Sequence, residues 1–517
     1  MSGQRAAGLP AQSPEGLGRP RAAPAAFDGP VQHVYVHVPF CRARCDYCDF
    51  ASAAVGDAPD PGLLDAYVDR VAAEWMLAAR SSAEDGAAAH SGRARPGLGR
   101  LHTLYVGGGT PSLLGPERLE RLLELFRPHL TPHAEVTVEV NPEDVDDAFA
   151  TWAAAAPVAG GAGPARGLRL SLGVQSLAPR LREALGRRAQ ADPAGAFRRL
   201  RSAGVANLSV DLIQGIPGQS MADLEADVGA VLELAPDHIS WYELTLARGT
   251  PLAGRLQGTG AGAGDEAQVG DESAGKTVHD SADVIACPGK RGKGGVTCGA
   301  PRGTEFGTEF DAESDAESGV EGAARGAAPA EREVVGVRQL PAAAAGTAGD
   351  DEGDDARADL YERIVSALSA AGYDWYEVSS FALPGRRARH NVAYWRARPY
   401  IGLGPGAVST VGHRRWRNEP DPAAWAAALA AGRRPPREQE WLDDDTSRRE
   451  RLMLAARCGL SVPLAELGES LDLQAAGSLA AAGLVSLHSG TIRVTRKGRH
   501  VANEVCVRLF RDTRLRG

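Results

Sequence analysis

From Val34 to Leu246 the chain keeps switching between two periodicities. Short β-branched or apolar runs occur at Val34 to Val38, Thr103 to Gly107, Glu135 to Val140, Leu168 to Gly173, Asn207 to Ile213 and His238 to Leu246. Between them lie Ala-, Leu- and Arg-rich stretches around residues 62 to 80, 116 to 129, 144 to 156, 178 to 203 and 220 to 234, which read as helices. Strand, helix, strand in regular succession predicts parallel βα units in an α/β fold. Six units rather than eight predict a partial (β/α)6 barrel. Chemistry in such folds gathers where the loops leave the C-terminal ends of the strands.

Directly after the first strand stand Cys41, Cys45 and Cys48, spaced C-x3-C-x2-C between Phe40 and Phe50. Three thiols on one short loop suit one face of an iron-sulfur cube, whose usual ligands are thiolates. Three ligands for four irons leave one iron open to a small molecule. Structural zinc is the alternative; it wants four closed tetrahedral ligands and commonly a second C-x2-C or a Cys/His pair, and none follows here. Of the seven cysteines, Cys287 and Cys298 lie in a low-complexity segment, and Cys458 and Cys506 far downstream.

The length of 517 residues allows two domains, or one large domain with insertions. Nothing approaches the ~18 unbroken apolar residues of a membrane span. An odd number of cysteines in a long chain is unlike a secreted disulfide framework, and oxygen-sensitive thiolates fit a reducing compartment. Residues 1 to 30 are rich in Ala, Gly, Pro and Arg, with Glu15 and Asp28 as the acids. A transit peptide is similarly poor in acids, but Gly and Pro break any amphipathic helix and no apolar h-region is present, so the segment reads as a disordered leader.

The net charge of −9 is carried by one segment: residues 255 to 357 hold twenty acidic and ten basic side chains, which leaves the remainder near +1. The rest therefore offers no strong field to nucleic acid or anionic lipid. Within that segment Gly303 to Phe306 repeats as Gly307 to Phe310, and Asp311 to Ser314 as Asp315 to Ser318. Repetition with few large apolar residues cannot offset chain entropy, so the segment reads as a disordered acidic insertion. Cys287 and Cys298, beside Lys290, Arg291 and Lys293, read as incidental thiols rather than a redox or metal hairpin. Residues 81 to 99 read as a Gly/Ala/Ser loop.

Order is expected to resume with a helix over 358 to 371 and a strand over 374 to 382. The stretch His390 to Ser409 is dense in aromatics and glycines. From about Asp443 to Phe510, helices followed by Gly483 to Leu487 and Thr491 to Val494 predict a mainly helical, winged-helix-like domain. Leu471 to Ala482 carries no Lys or Arg, so packing or partner contact suits it better than DNA reading. The expected boundaries are 1–30 leader, 31–254 barrel, 255–357 insertion, 358–435 barrel completion and 436–517 C-terminal domain.

Polar groups at the strand ends mark the site. Gly107-Gly108-Gly109-Thr110-Pro111 follows the second strand, and backbone without Cβ can approach a ligand closely. Glu139 ends the third strand, where a carboxylate can accept from ribose hydroxyls. Gln175, Arg187 and Asp211 are expected to converge on the same mouth, with a purely structural network as the competing account of Arg187 and Asp211.

In this order the motifs resemble the radical S-adenosylmethionine superfamily. Tyr35-x-His37-Val38-Pro39-Phe40-Cys41, the glycine triplet, Glu139 with Asn141-Pro142, Gly173-Val174-Gln175-Ser176 and Asp211-Leu212-Ile213 are similar to the oxygen-independent coproporphyrinogen III oxidase group. Tyr242-Glu243-Leu244-Thr245, His390-Asn391-x-x-Tyr394-Trp395 and Gly402-x-Gly404-Pro405-Gly406-Ala407 extend the likeness to about residue 510, and within the group it is greatest to HemW-type heme chaperones. The decarboxylating enzymes carry one more cysteine two residues after the third, whereas here Asp49-Phe50 follow Cys48.

The resemblance implies a [4Fe-4S] cluster on Cys41, Cys45 and Cys48, with S-adenosylmethionine held by Tyr35, Gly108, Gly109 and Glu139. Tyr47, Thr110, Gln175, Arg187 and Asp211 match positions that line a second cofactor site in the decarboxylating relatives; many of these have a His where this chain has Ala189. It implies heme as ligand, with His390 as a candidate axial donor and His37, His413 and the thiols as rivals. It further implies delivery of heme to respiratory acceptor proteins in the cytoplasm, a flavodoxin- or ferredoxin-like reductant, peripheral membrane association and a homodimer, without nucleic acid. The alternative is oxidative decarboxylation of coproporphyrinogen III to protoporphyrinogen IX.

Overall fold

Strand parity builds the barrel. In β1 (Val31–Val38), Val34 and Val36 are fully buried under the helices, and His33, Tyr35 and His37 alternate with them on the inner face. The same alternation sets Leu104 and Val106 against Thr103 and Tyr105 in β2 (Leu98–Gly108), and Val136 and Val138 against Thr137 and Glu139 in β3 (Leu130–Val140). It continues with Arg169 and Ser171 in β4 (Arg169–Gln175), Ser209 and Asp211 in β5 (Asn207–Gln214), and His238 and Ser240 in β6 (His238–Glu243). All six strands pair in parallel and in chain order, with Tyr35, Tyr105, Thr137, Arg169 and Asn207 in one register layer. A slip of one residue would turn the polar row onto the apolar helices, so the pattern itself fixes the register.

The computed structural model describes residues 27–85, 97–158, 168–188, 190–256 and 350–510, with 81–85 and 350–359 described by backbone alone. Most of the expected leader, residues 86–96, Ala189 and the acidic segment from 257 to 349, with Cys287 and Cys298, lie outside the described residues. At the end of the expected leader Phe27 is 3% exposed, and its amide donates to Ala397 O at 2.7 Å.

Helices α1 (Pro61–Asp85), α2 (Gly115–Phe126) and α3 (Asp147–Ala155) cover the outer face of the barrel. Trp75 of α1 packs on Phe126 with ring centroids 5.1 Å apart. Phe126, Phe149, Phe197 and Trp241 are fully buried, and each such side chain contributes roughly 2–3 kcal/mol. The helix expected over 178 to 203 is two, α4 (Pro179–Ala184) and α5 (Pro193–Ser202). The break is at Gly186, whose φ of +72° suits glycine and whose place a Cβ could take only at 2.6 Å from Asp46. α6 (Met221–Leu234) opens with a Ser220/Asp223 capping box. α7 (Asp350–Ala370) begins earlier than the helix expected from 358.

Among the described residues the sheet has twelve strands. Past β6 it continues through β7 (Asp374–Glu377) and β8 (Ser380–Ala382); beyond β1 it adds β9 (Tyr400–Leu403), β10 (Val408–Val411), β11 (Arg414–Asn418) and β12 (Arg437–Trp441). The order is β12-β11-β10-β9-β1-β2-β3-β4-β5-β6-β8-β7, with β9 parallel to β1 and β8 antiparallel to β6. Its two ends are not paired to each other, so the barrel is partial.

The C-terminal part has its own core of Leu452, Ile492, Val494, Val505 and Leu509, and a sheet ordered Val462–Pro463, Thr491–Val494, Val485–His488. That is the winged-helix-like pattern expected. Its helix α10 (Asp444–Arg457) is tied to the barrel by Arg457, whose guanidinium lies 2.6 Å from Glu377. Trp375 of β7 carries the Arg499 guanidinium over its ring at 4.1 Å. Helices α8 (Arg389–Trp395) and α9 (Pro422–Ala430) lie between these parts in sequence.

Candidate cofactor site

The cysteine loop begins in a two-residue strand, Phe40–Cys41, paired in parallel with Ala53–Ala54. Backbone bonds close the loop: Val55 N donates to Cys41 O at 2.8 Å and Gly56 N to Arg42 O at 3.1 Å. Its far side is held by Asp46, whose amide donates to Leu185 O at 3.0 Å and whose carbonyl accepts from Leu252 N at 2.8 Å. Arg42 grips Asp144 Oδ1 through Nε and Nη2 at 3.1 and 2.6 Å, and Ser112 Oγ donates to Asp144 Oδ2 at 2.6 Å. The glycine triplet lies against this loop. A Cβ on Gly109 would stand 2.6 Å from Phe40 O and 3.0 Å from Cys41 Sγ, so only glycine lets the two backbones touch.

Cys41, Cys45 and Cys48 are free and partly buried. Burial pushes the Cys45 thiol up despite the pull of Arg187, and pushes Cys48 up to about 11. A bound cation reverses that balance and deprotonates a coordinating thiol outright. Among the described residues no three His, Cys, Asp or Glu side chains converge on one metal ion. A four-iron cube needs no such convergence, because each thiolate takes its own iron. Three thiols on one loop with a backbone pressed against the first therefore fit a cube with one open iron.

Glu139 faces the triplet from β3. Its Oε1 accepts from the Tyr105 hydroxyl at 2.7 Å and its Oε2 from Gly108 N at 3.0 Å. Burial, then the charge of Asp211, pushes its carboxyl up to about 7, against the pull of those two donors. Tyr35 donates to His37 Nδ1 at 2.9 Å, because His37 Nε2 donates to Ala51 O at 2.9 Å and so fixes the tautomer. Asp211 accepts from Ser171 Oγ at 3.0 and 3.1 Å, and burial pushes it up as well. Tyr35, Tyr105, Glu139 and Asp211 keep accessible surface although they stand on the inner face, so the lumen is open at this end.

Asn141 joins the next group. Its Oδ1 accepts from Arg187 Nη2 at 2.7 Å, its Nδ2 donates to Thr110 Oγ1 at 3.3 Å, and Tyr47 also bonds Arg187. Gln175 has a left-handed φ of +63° at a register shift between β4 and β5, the kind of backbone strain of about 1–3 kcal/mol that marks functional loops. A cleft here is lined by Arg42, Cys45, Asn141, Glu143, Gly173 and Arg187.

The structure thus gathers Tyr35, Tyr47, Gly108, Gly109, Thr110, Glu139, Gln175, Arg187 and Asp211 around the mouth. It does not bring His390 there. That ring is 1% exposed on α8, with Nδ1 2.7 Å from Thr103 Oγ1 and Nε2 3.0 Å from the Tyr394 hydroxyl. His413 bonds Leu442 O at 2.8 Å and stacks on Trp441, near the β12 end of the sheet. Sequence reasoning missed Tyr105, Arg169 and Ser171. The signal was present in strand parity, since each alternates with a buried Leu or Val.

The model of the Radical SAM superfamily matches residues 35–230. Heme chaperone HemW of Mycobacterium tuberculosis is 32% identical over 480 residues, covering 91% of this chain and 93% of that one. Heme chaperone HemW of Bacillus subtilis is 24% identical across 92% of this chain and 98% of its own. Coproporphyrinogen III oxidase (HemN) of Escherichia coli, a radical SAM enzyme, superposes with a TM-score of 0.60 at 19% identity, covering 93% of this chain and 90% of that one, which shows a shared fold. With a cysteine loop, glycine triplet and acidic strand end placed as described, the chain belongs to the HemW heme chaperone family of the radical SAM superfamily.

Proposed function

We propose that this protein carries heme to acceptor proteins, using a [4Fe-4S] cluster on Cys41, Cys45 and Cys48 with S-adenosylmethionine bound beside it. The observation that carries the reading is the contact of Gly109 with the first cysteine, one residue from the amide that Glu139 accepts from. That proximity supports a cluster and a nucleoside held side by side.

Held by Cys41, Cys45 and Cys48 and reduced, the cluster would supply one-electron chemistry toward the sulfonium. The chain's own residues do the rest. The triplet offers backbone groups to the methionine end, Glu139 accepts from ribose hydroxyls, and Arg42 with Asp144 holds the loop closed. Tyr47, Thr110, Gln175, Arg187 and Asp211 furnish a second polar wall, available to a further ligand. A one-electron donor of the flavodoxin or ferredoxin class, cytoplasmic location, peripheral membrane contact and a homodimer complete the reading. Asp49-Phe50, in place of a further cysteine, favours the chaperone over the decarboxylase.

The test is anaerobic reconstitution followed by hemin titration and transfer of heme to an apo-acceptor. Transfer that needs Cys41, Cys45 and Cys48 supports the reading. Formation of protoporphyrinogen from coproporphyrinogen, dependent on the same cysteines, would replace it with the decarboxylase.

A further inference from the structure

His390 opens the motif His390-Asn391-x-x-Tyr394-Trp395, yet its surroundings are those of a fixed ring rather than of an axial ligand. Both ring nitrogens are engaged, by Thr103 Oγ1 at 2.7 Å and by the Tyr394 hydroxyl at 3.0 Å. Thr103 Oγ1 also bonds His33 Nδ1 at 2.9 Å, so moving His390 unmakes a shared junction. The backbone is held too: Glu135 accepts from His390 N and Arg389 N, each at 3.0 Å. With 1% of its surface accessible, the ring leaves no approach for an iron at the centre of a wide macrocycle.

What His390 does touch leads to the mouth. Its ring lies 5.2 Å from that of Tyr105 at a tilt of 35°, and 4.7 Å edge-on from Tyr394. Tyr105 also meets Gly107, where a Cβ would come within 2.7 Å of the Tyr105 ring and 3.0 Å of Glu139. Its hydroxyl donates to Glu139 Oε1 at 2.7 Å. Tyr105 is therefore packed on His390 and close to Gly107, with its hydroxyl donating to Glu139. A ring free to tilt would still fill the space but would not keep its hydroxyl on the carboxylate.

We propose that His390 is a positioning residue for the cofactor carboxylate, acting through Tyr105, and that the His390–Trp395 segment serves nucleoside binding rather than heme ligation. This rests on the proposed role of Glu139 toward S-adenosylmethionine, but not on heme binding.

The experiment uses the full chain, anaerobically loaded with cluster, as wild type, His390→Ala, Tyr105→Phe and the double variant. Affinity for S-adenosylmethionine is read from its perturbation of the reduced-cluster electron paramagnetic resonance, and hemin binding from the Soret band and ligand-field bands. Each single variant is expected to weaken the nucleoside about tenfold, with the double variant no weaker than either single, because both act on one hydrogen bond. Hemin spectra and affinity are expected to match wild type. Tyr105→Phe keeps the ring and removes only the donor, so it decides the matter even if His390→Ala folds poorly. Altered ligand-field bands in His390→Ala, unchanged nucleoside affinity in Tyr105→Phe, or additive losses in the double variant would each overturn the proposal. A wild type that binds no hemin would defeat the heme reading alone, and the nucleoside arm would still decide this one.

Discussion

The Tyr105 hydroxyl donates to Glu139 Oε1 across 2.7 Å, from a strand neighbouring that of the carboxylate. Tyr105 stands two residues before Gly107 and shares its face of β2, so the same parity that sends Leu104 and Val106 under the helices delivers this donor into the lumen.

Glu139 gives a pH signature. Its carboxyl is held up to about 7, mainly by burial, and the ionised form is the better acceptor for ribose hydroxyls. Binding of S-adenosylmethionine is therefore expected to tighten as pH rises through about 7, and Glu139→Gln to bind about tenfold more weakly at alkaline pH with no such rise. Isothermal titration across that range checks it; a flat wild-type profile would remove Glu139 from the contact.

Gly109→Ala forces a methyl to within 2.6 Å of Phe40 O, beside Cys41 Sγ. The two backbones must part, at a cost of about 1–3 kcal/mol, and the Gly109 N to Val38 O bond of 2.7 Å opens with them. Iron and sulfide content after reconstitution should fall well below wild type, while far-ultraviolet circular dichroism stays unchanged. Full cluster occupancy would show that the loop tolerates the displacement.

Glu74 on α1 is 1% exposed and accepts from Gly404 N at 2.8 Å, Asn418 Nδ2 at 2.7 Å and Trp425 Nε1 at 3.1 Å. Burial outweighs these donors and pushes its carboxyl up to about 7. The folded chain thus takes up a proton before the unfolded chain does, so this stabilisation is full below the unfolded value of ~4.3 and is lost as pH rises through about 7. The loss amounts to about 4 kcal/mol. Urea midpoints should decline between about pH 4 and 7 in wild type and decline less steeply in Glu74→Gln; equal slopes would contradict the assignment.

Arg457 reaches Glu377 through Nη2 at 2.6 Å and Nε at 2.9 Å, and Glu377 is further bonded by Ser379 N and Ser380 Oγ. Arg457→Ala leaves a buried carboxylate without its cation and should lower stability by about 3 kcal/mol. Calorimetry should also show the C-terminal part melting apart from the barrel. A change below about 1 kcal/mol would mean that water takes the place of the guanidinium.

The sequence by itself determined the six parallel strands, the cysteine loop and the glycines against it. Each is written in local terms: a period of two, a spacing of three and two, or a residue without Cβ. Strand parity sets both Glu139, at the end of β3, and Asp211, within β5, on the inner face. The sequence reads 178 to 203 as one helix, whereas the chain turns at Gly186, where left-handed backbone comes close to Asp46, 140 residues earlier in the chain. Only the tertiary structure decided what His390 touches: sequence shows an imidazole among aromatics, and the partners that occupy both of its nitrogens include Thr103, which folding alone brings within 2.7 Å. Burial and hydrogen bonding are properties of neighbours in space, and neighbours distant along the chain leave no mark on it.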